Sequence, residues 1–256
     1  MKALRLAWMA ALALVLCAQT SNVTALLATA RKQVETADLR ATGHLVAIDG
    51  AGTRVSFPII VKARWFPGVL RMRVDLGQPP TVRQDMREHI LLEMRLNGEN
   101  AIRLADPGDT AVRILPFEKW SVHPLGPGFN YEDFLEQQYF WPGQTSAGKA
   151  KFGARDCDVV KSTPGPADRT HYAEAKTWID PSIGFPVYAE KTSKESGAVK
   201  LFTSFGLRHE QGQWSAHQIE VKIRGQAGST LLIIDRGSVK ANLTIADFSP
   251  EQLTKF

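Results

Sequence analysis

Between Leu39 and Arg236 apolar and polar residues alternate one by one over most of the chain. The stretch Leu70-Arg71-Met72-Arg73-Val74-Asp75-Leu76 does so without an error, and Ile90, Leu92, Met94 and Leu96 alternate with Leu91, Glu93 and Arg95. Val199, Leu201, Thr203, Phe205 and Leu207 repeat the pattern, as do Ile219, Val221 and Ile223 across Glu220, Lys222 and Arg224. Successive side chains of a strand point to opposite faces, so this period marks half-buried antiparallel strands, apolar on one side and charged on the other. Turn residues punctuate the runs at Asp49-Gly50-Ala51-Gly52, Pro67-Gly68, Asn97-Gly98, Asp106-Pro107-Gly108-Asp109, Ser196-Gly197, Gln211-Gly212 and Gly225-Gln226-Ala227-Gly228. The pattern predicts a mainly β protein with about ten to eleven strands joined as a meander.

A meander of that size must curl, close or split, because a flat sheet leaves one large apolar face in water. Sustained βαβ alternation is absent, which disfavours a doubly wound parallel sheet. Three segments are expected to cover the apolar face. Residues 22–34 carry apolar positions at helical spacing behind a Ser21/Asn22 cap. Pro116 to Trp141 is the second, and the third is the C-terminal Ser249-Pro250-Glu251-Gln252-Leu253, with Ser249 as N-cap and Pro250 as first helical residue.

The N-terminus reads differently. Met1-Lys2-Ala3-Leu4-Arg5 is basic and Leu6 to Ala18 is unbroken apolar sequence, shorter than the roughly 20 residues that span a bilayer. Residues 1–20 are therefore expected to be a secretory signal peptide, cleaved between Ala18 and Ala25, with 21–256 as a single domain. Lipidation at Cys17 is disfavoured because Leu16 stands where a small residue is required. With the signal gone, Cys157 is the one remaining cysteine, so no internal disulfide forms. Its acidic neighbours Asp156 and Asp158 raise a thiol pKa, and it is expected to be a small buried side chain.

At 44% apolar and 22% charged residues the chain is globular rather than disordered. Removing Lys2 and Arg5 from the 31 basic residues leaves 29 against 26 acidic ones, lowering the net charge from +5 to +3. These charges are interspersed, which gives no support to nucleic-acid binding. Gly-rich phosphate loops and GxSxG are absent, and none of the 6 histidines lies at ligand spacing from another or from a cysteine. No catalytic residue, metal site or cofactor is expected.

GPGFNYEDFLEQQYFW, residues 126 to 141, is the densest cluster of aromatics and acids. Adjacent helical positions point about 100° apart, so Glu132 and Asp133 do not converge on one substrate atom. Asn130 is instead expected to cap a short helix, with both acids in its first turn and Tyr131, Phe134 and Leu135 turned inward.

Taken in order, Gly128-Phe129-Asn130-Tyr131-Glu132-Asp133-Phe134, Cys157-Asp158-Val159-Val160-Lys161, Tyr172-Ala173-Glu174-Ala175-Lys176-Thr177-Trp178-Ile179-Asp180, Val187-Tyr188 and Gly197-Ala198-Val199-Lys200 resemble the outer-membrane lipoprotein-sorting protein family, the exported LolA/LolB-like carriers. The match covers residues 124 to 256. It departs at Asp158, where the family has an aromatic residue, and in the loose Ser196 to Lys200 turn. The resemblance implies an incomplete, half-open antiparallel β-barrel covered by short α-helices, with lipid acyl chains in an apolar cavity. It also implies a periplasmic monomer, a lipid or acylated lipoprotein as cargo, and an inner-membrane transporter and outer-membrane acceptor as partners.

On that reading the expected cavity lining is Val61, Leu70, Met72, Val74, Leu92, Met94, Leu96, Leu201, Phe205, Ile219, Val221 and Ile223. Trp65, Trp178 and Trp214 are either lining or core. The expected lid is Tyr131, Phe134, Leu135, Phe140 and Trp141, held by aromatic packing, with Gly126, Gly128 and Gly143 as hinges. The alternative from another class is a periplasmic lipid- or lipoprotein-sensing regulatory module without a transport role.

Overall fold

The computed structural model describes residues 23–77, 88–96, 99–106, 108–122 and 126–255. The signal peptide assigned to residues 1–20, Cys17 and the Asn97-Gly98 turn lie outside the described residues. A helix over residues 23–35, α1, opens the described chain. Its apolar stripe, Val23, Leu27, Ala30 and Val34, is buried, as the 3.6-residue period requires of a helix lying on a core.

Thirteen strands follow among the described residues, all in one antiparallel sheet. The first meander comprises β1 (Asp38–Ile48), β2 (Arg54–Phe66), β3 (Val69–Leu76), β4 (Glu88–Arg95), β5 (Ala101–Ala105) and the short β6 (Arg113–Ile114). A second runs through β7 (Gly143–Phe152), β8 (Arg155–Thr163), β9 (Tyr172–Asp180), β10 (Phe185–Ser193), β11 (Val199–Glu210), β12 (Gln213–Ile223) and β13 (Ser229–Ser238). The meanders join where β13 pairs with β1, from Ile48 opposite Ser229 to Arg40 opposite Ser238. The spatial order is β6-β5-β4-β3-β2-β1-β13-β12-β11-β10-β9-β8-β7, so the sheet stays open with β6 and β7 as its edges.

This order explains the segment from Pro116 to Trp141. It leaves the sheet at one edge, β6, and re-enters at the other, β7, so it must cross the sheet from side to side. Its route lies over the concave face, where Trp120, Phe129, Tyr131, Phe134, Leu135 and Tyr139 join the α1 stripe in the main hydrophobic cluster. Strand side chains Leu45, Ile59, Val74, Ile90, Leu92 and Ile102 complete it. Each such side chain contributes about 1.5–3 kcal/mol on burial.

The C-terminal segment goes elsewhere. Ser249 and Pro250 do open a helix, α2 (Pro250–Leu253), but Leu253, Phe248 and Leu243 pack on Leu91 and Ala105. Leu91 faces the opposite side of β4 from Ile90 and Leu92, so this cover sits on the outer face, a correction to the expected arrangement. The physical reason is that β4 is buried on both faces: on its outer side Leu91 needs apolar cover and His89 Nδ1 lies within hydrogen-bond distance of the Leu253 carbonyl. Beside it, the buried Glu93 is held by Arg71 at 3.0 Å, Arg95 at 3.5 Å and Arg103.

Candidate functional site

The cover segment is built from a local signal. The Asn130 side chain accepts from the Asp133 N–H at 3.1 Å, and Asp133 Oδ2 accepts from the Asn130 N–H at 2.9 Å. This reciprocal cap starts a single 3₁₀ turn, Tyr131–Phe134. Leu135 is extended and ends it, and a second turn follows at Gln137–Tyr139. The expected cap is present; the helix it opens is one turn long, because the chain must stay stretched to cross the sheet.

Aromatic packing is only part of what holds the segment. Asp133 accepts from Lys200 Nζ at 2.7 Å and from the Tyr172 hydroxyl. Glu132 accepts from the Thr170 hydroxyl and from the His171 N–H at 3.2 Å, and its Oε2 lies 3.0 Å from His171 Nδ1. Tyr131 donates to Glu88 at 3.1 Å, Asn100 to Gln137 at 2.9 Å, and the Arg31 Nε–H of α1 to the Tyr139 carbonyl at 2.6 Å. Desolvation pushes the Tyr172 hydroxyl far above its ordinary value, with the Asp133 charge adding to it. The expectation of a lid held by aromatic packing is therefore corrected: buried polar bonds hold it as well. At Gly126, φ +132°, a Cβ would lie within 2.4 Å of Thr230 Oγ1, so the glycine permits close approach. Gly143 has the same role against Thr163, where a Cβ would lie 2.0 Å from Oγ1.

Between this cover and the sheet lies a cavity of about 650 Å³. Its walls at mid-depth are apolar: Val61, Met72, Phe134, Phe202, Ile219 and Leu232. Arg208, Glu210, Gln211 and Arg236 also line it and are exposed, which places the mouth at the β11–β12 turn and the end of β13. The far end is the floor, formed by Asp133, Glu136, Gln138, Tyr139 and Lys191.

Glu136 shows what kind of space this is. Its side chain is exposed by surface area and lines the cavity, while protein groups crowd around its carboxyl. Burial raises its carboxyl above the usual range, against the opposing effects of the Lys191 charge and of the Tyr139 hydroxyl, which donates to it at 3.2 Å. Burial lowers the Lys191 ammonium, opposed by the charges of Asp133, Glu136 and Glu132.

Of the residues expected to line a cavity, Val61, Met72 and Ile219 do so. Leu70, Val74, Leu92, Met94 and Val221 belong to the packed cluster, and Ile223 packs on the cover beside Gly128. Leu96 is exposed at the end of its run. Leu201 and Phe205 are corrected outright: they pair with Lys222 and Gln218 on the outer face of β11, and Phe205 is 45% exposed. The inward residues of β11 are Lys200, Phe202 and Ser204, opposite Ile223, Val221 and Ile219. Among the expected lid residues, Phe134 lines the cavity, Tyr131 and Leu135 are core, and Phe140 stacks on Trp65 at 6.1 Å. Trp141 sits apart with Tyr172 and Ala175. Trp214 lines the mouth, whereas Trp178 packs edge-on against Tyr188 at 4.9 Å.

Sequence reasoning passed over Lys191 and Lys200. A signal existed for Lys191, which shares its parity with Val187 and Ala189 and so occupies the buried phase of β10. Cys157 is buried as expected, and burial, then the Asp180 charge, raise its thiol. Among the described residues no group of three or more metal-ligating side chains converges, and no helix is long and apolar enough to cross a membrane.

The family model that matches this chain, over residues 111–255, is described as "-like: Uncharacterized protein". No curated protein matches it. Several solved structures do. A domain from Vibrio parahaemolyticus, provisionally named an outer membrane lipoprotein-sorting protein, is 20% identical, with a TM-score of 0.78 over 90% of this chain and 97% of its own. A DUF1329 family protein from Desulfovibrio piger is 17% identical, with a TM-score of 0.77 over 92% and 99%. The LolA superfamily protein NE2245 from Nitrosomonas europaea is 14% identical, with a TM-score of 0.62 over 88% and 99%. At such identities the likeness is one of fold: an open antiparallel barrel of the LolA type.

Proposed function

We propose that this chain, which belongs to the family of uncharacterized proteins matched over residues 111–255 and has the LolA-type fold, is a carrier that shelters the hydrocarbon of a lipid or acylated protein and moves it through the periplasm toward the outer membrane. The observation that carries this reading is the cavity of about 650 Å³ with apolar walls between the sheet and its cover. Folded domains ordinarily close-pack such a space, and its volume falls within the roughly 300–1,000 Å³ of small-molecule sites. Hydrocarbon entering it gains about 0.8 kcal/mol per buried CH₂, so retention requires no catalytic group.

The buried bonds that fix the cover also bear on the route. Loading proceeds through the mouth, where the β11–β12 turn and the end of β13 present exposed polar residues, while the cover remains in place. The chain acts as a monomer, receiving cargo from an inner-membrane transporter and delivering it to an outer-membrane acceptor. Binding of a fluorescent fatty acid tests the reading. Phe134→Asp, which places a charge on the cavity wall, is expected to abolish retention; unchanged binding contradicts the proposal.

A further inference from the structure

Two lysines stand directly opposite each other where β10 and β11 pair, Lys191 across from Lys200. Like charges in that position repel, and a buried charge is stable only when it is partnered. Lys200 has its partner, Asp133. Lys191 is 4% exposed and lines the floor, yet among the described residues no carboxylate lies within ion-pair distance of it. Its ammonium lies over two ring faces, 4.7 Å from the centroid of Phe202 and 5.3 Å from that of Tyr172. Ring faces attract a cation but do not replace acceptors for its three N–H donors, and among the described residues none hydrogen-bonds to Lys191.

The neighbouring acids are already engaged: Asp133 by Lys200 and Tyr172, Glu132 by Thr170 and His171, and Glu136 by Tyr139. We propose that Lys191 makes the floor a receptor for an anionic head group, so that the favoured ligand is a free amphiphile ending in a carboxylate, inserted head first with its hydrocarbon along the apolar walls toward the mouth. This rests on the carrier reading and narrows its cargo. A lipoprotein acyl chain entering tail first would set methyl groups against Lys191 and Glu136, which water or a polar ligand must otherwise solvate. One ammonium matches one negative charge; a dianionic phosphate would meet Glu136 with charge to spare.

The test compares palmitate with methyl palmitate, equal in chain and different in charge, by calorimetric titration of the delipidated full chain. The wild-type protein is expected to bind the acid about tenfold or more tightly than the ester, the range of a charge-assisted hydrogen bond. Lys191→Met is expected to bring that ratio close to one, and Lys191→Arg to retain it. Because the ratio is internal to each variant, a general loss of folding does not imitate the result. Equal affinities in the wild-type protein, or a preference that survives Lys191→Met, overturns the head-group assignment while leaving the carrier reading intact. If neither probe binds the wild-type protein, the carrier reading falls, and the head-group assignment with it.

Discussion

Lys200 of β11 reaches across the concave face to Asp133 of the cover, Nζ to Oδ2 at 2.7 Å, with side-chain exposures of 7% and 0%. The contact ties the connection between the two meanders to the second meander itself. Removing one member of a buried pair strands the other charge, which typically costs about 3–5 kcal/mol. Lys200→Met is therefore expected to lower the unfolding free energy by about 3 kcal/mol or more in urea titrations. Adding Asp133→Leu should recover part of the loss, since no charge is then left stranded. A single variant within about 0.5 kcal/mol of wild type shows that the pair does not hold the cover.

Glu88 makes folding sensitive to pH. Its carboxyl, 17% exposed, accepts from the Tyr131 hydroxyl, and desolvation pushes it from 4.5 up to about 7. The folded-state value is raised, so the contribution to stability is complete below about 4.5 and is lost as pH rises through about 7. The displacement corresponds to roughly 3 kcal/mol across that window. Glu88→Gln should flatten this part of the stability profile and make the protein more stable than wild type at about pH 8; an unchanged slope in urea melts refutes it.

Core and cavity wall are expected to respond oppositely to changes in volume. Leu92 is fully buried in close packing, so Leu92→Ala should cost about 2–5 kcal/mol. Ile219 borders open space. Ile219→Trp fills part of that space and should reduce fluorescent fatty-acid binding at least about tenfold, while shifting stability by less than about 1 kcal/mol, below the usual range for overpacking. If Ile219→Trp destabilises as Leu92→Ala does, that wall is packed rather than open.

Cys157, 2% exposed with its thiol raised by burial, should resist iodoacetamide in the folded protein and react once the chain is unfolded in urea. Rapid alkylation under native conditions contradicts its placement.

How legible this molecule is from its sequence depends on what each element touches. The strands with one wet and one dry face, such as β3 and β12, announce themselves by alternation. The ten-residue β7, GQTSAGKAKF, is exposed along nearly its whole length and shows no period, and β6 has two residues, which is how thirteen strands exceed the ten or eleven that the pattern marks. The phase of β11 misleads for another reason. Its inner face carries Lys200 and Ser204, and its outer face carries Leu201 and Phe205, so hydropathy favours the wrong side. The ion pair by which Lys200 binds Asp133 of the cover puts a charge on the inner side and so inverts the signal. The Asn130–Asp133 cap is local and readable; the partners of Asp133, 39 and 67 residues away in Tyr172 and Lys200, depend on strand order, which periodicity does not encode.

The central claim is that the hollow beneath the cover holds hydrocarbon. Mass spectrometry of the protein isolated from its native host, sprayed intact and then extracted with organic solvent, tests it most directly. The account predicts one amphiphile per chain, released on unfolding and missing from Ile219→Trp prepared in the same way. A native protein free of lipid, indistinguishable in this respect from the filled variant, contradicts it.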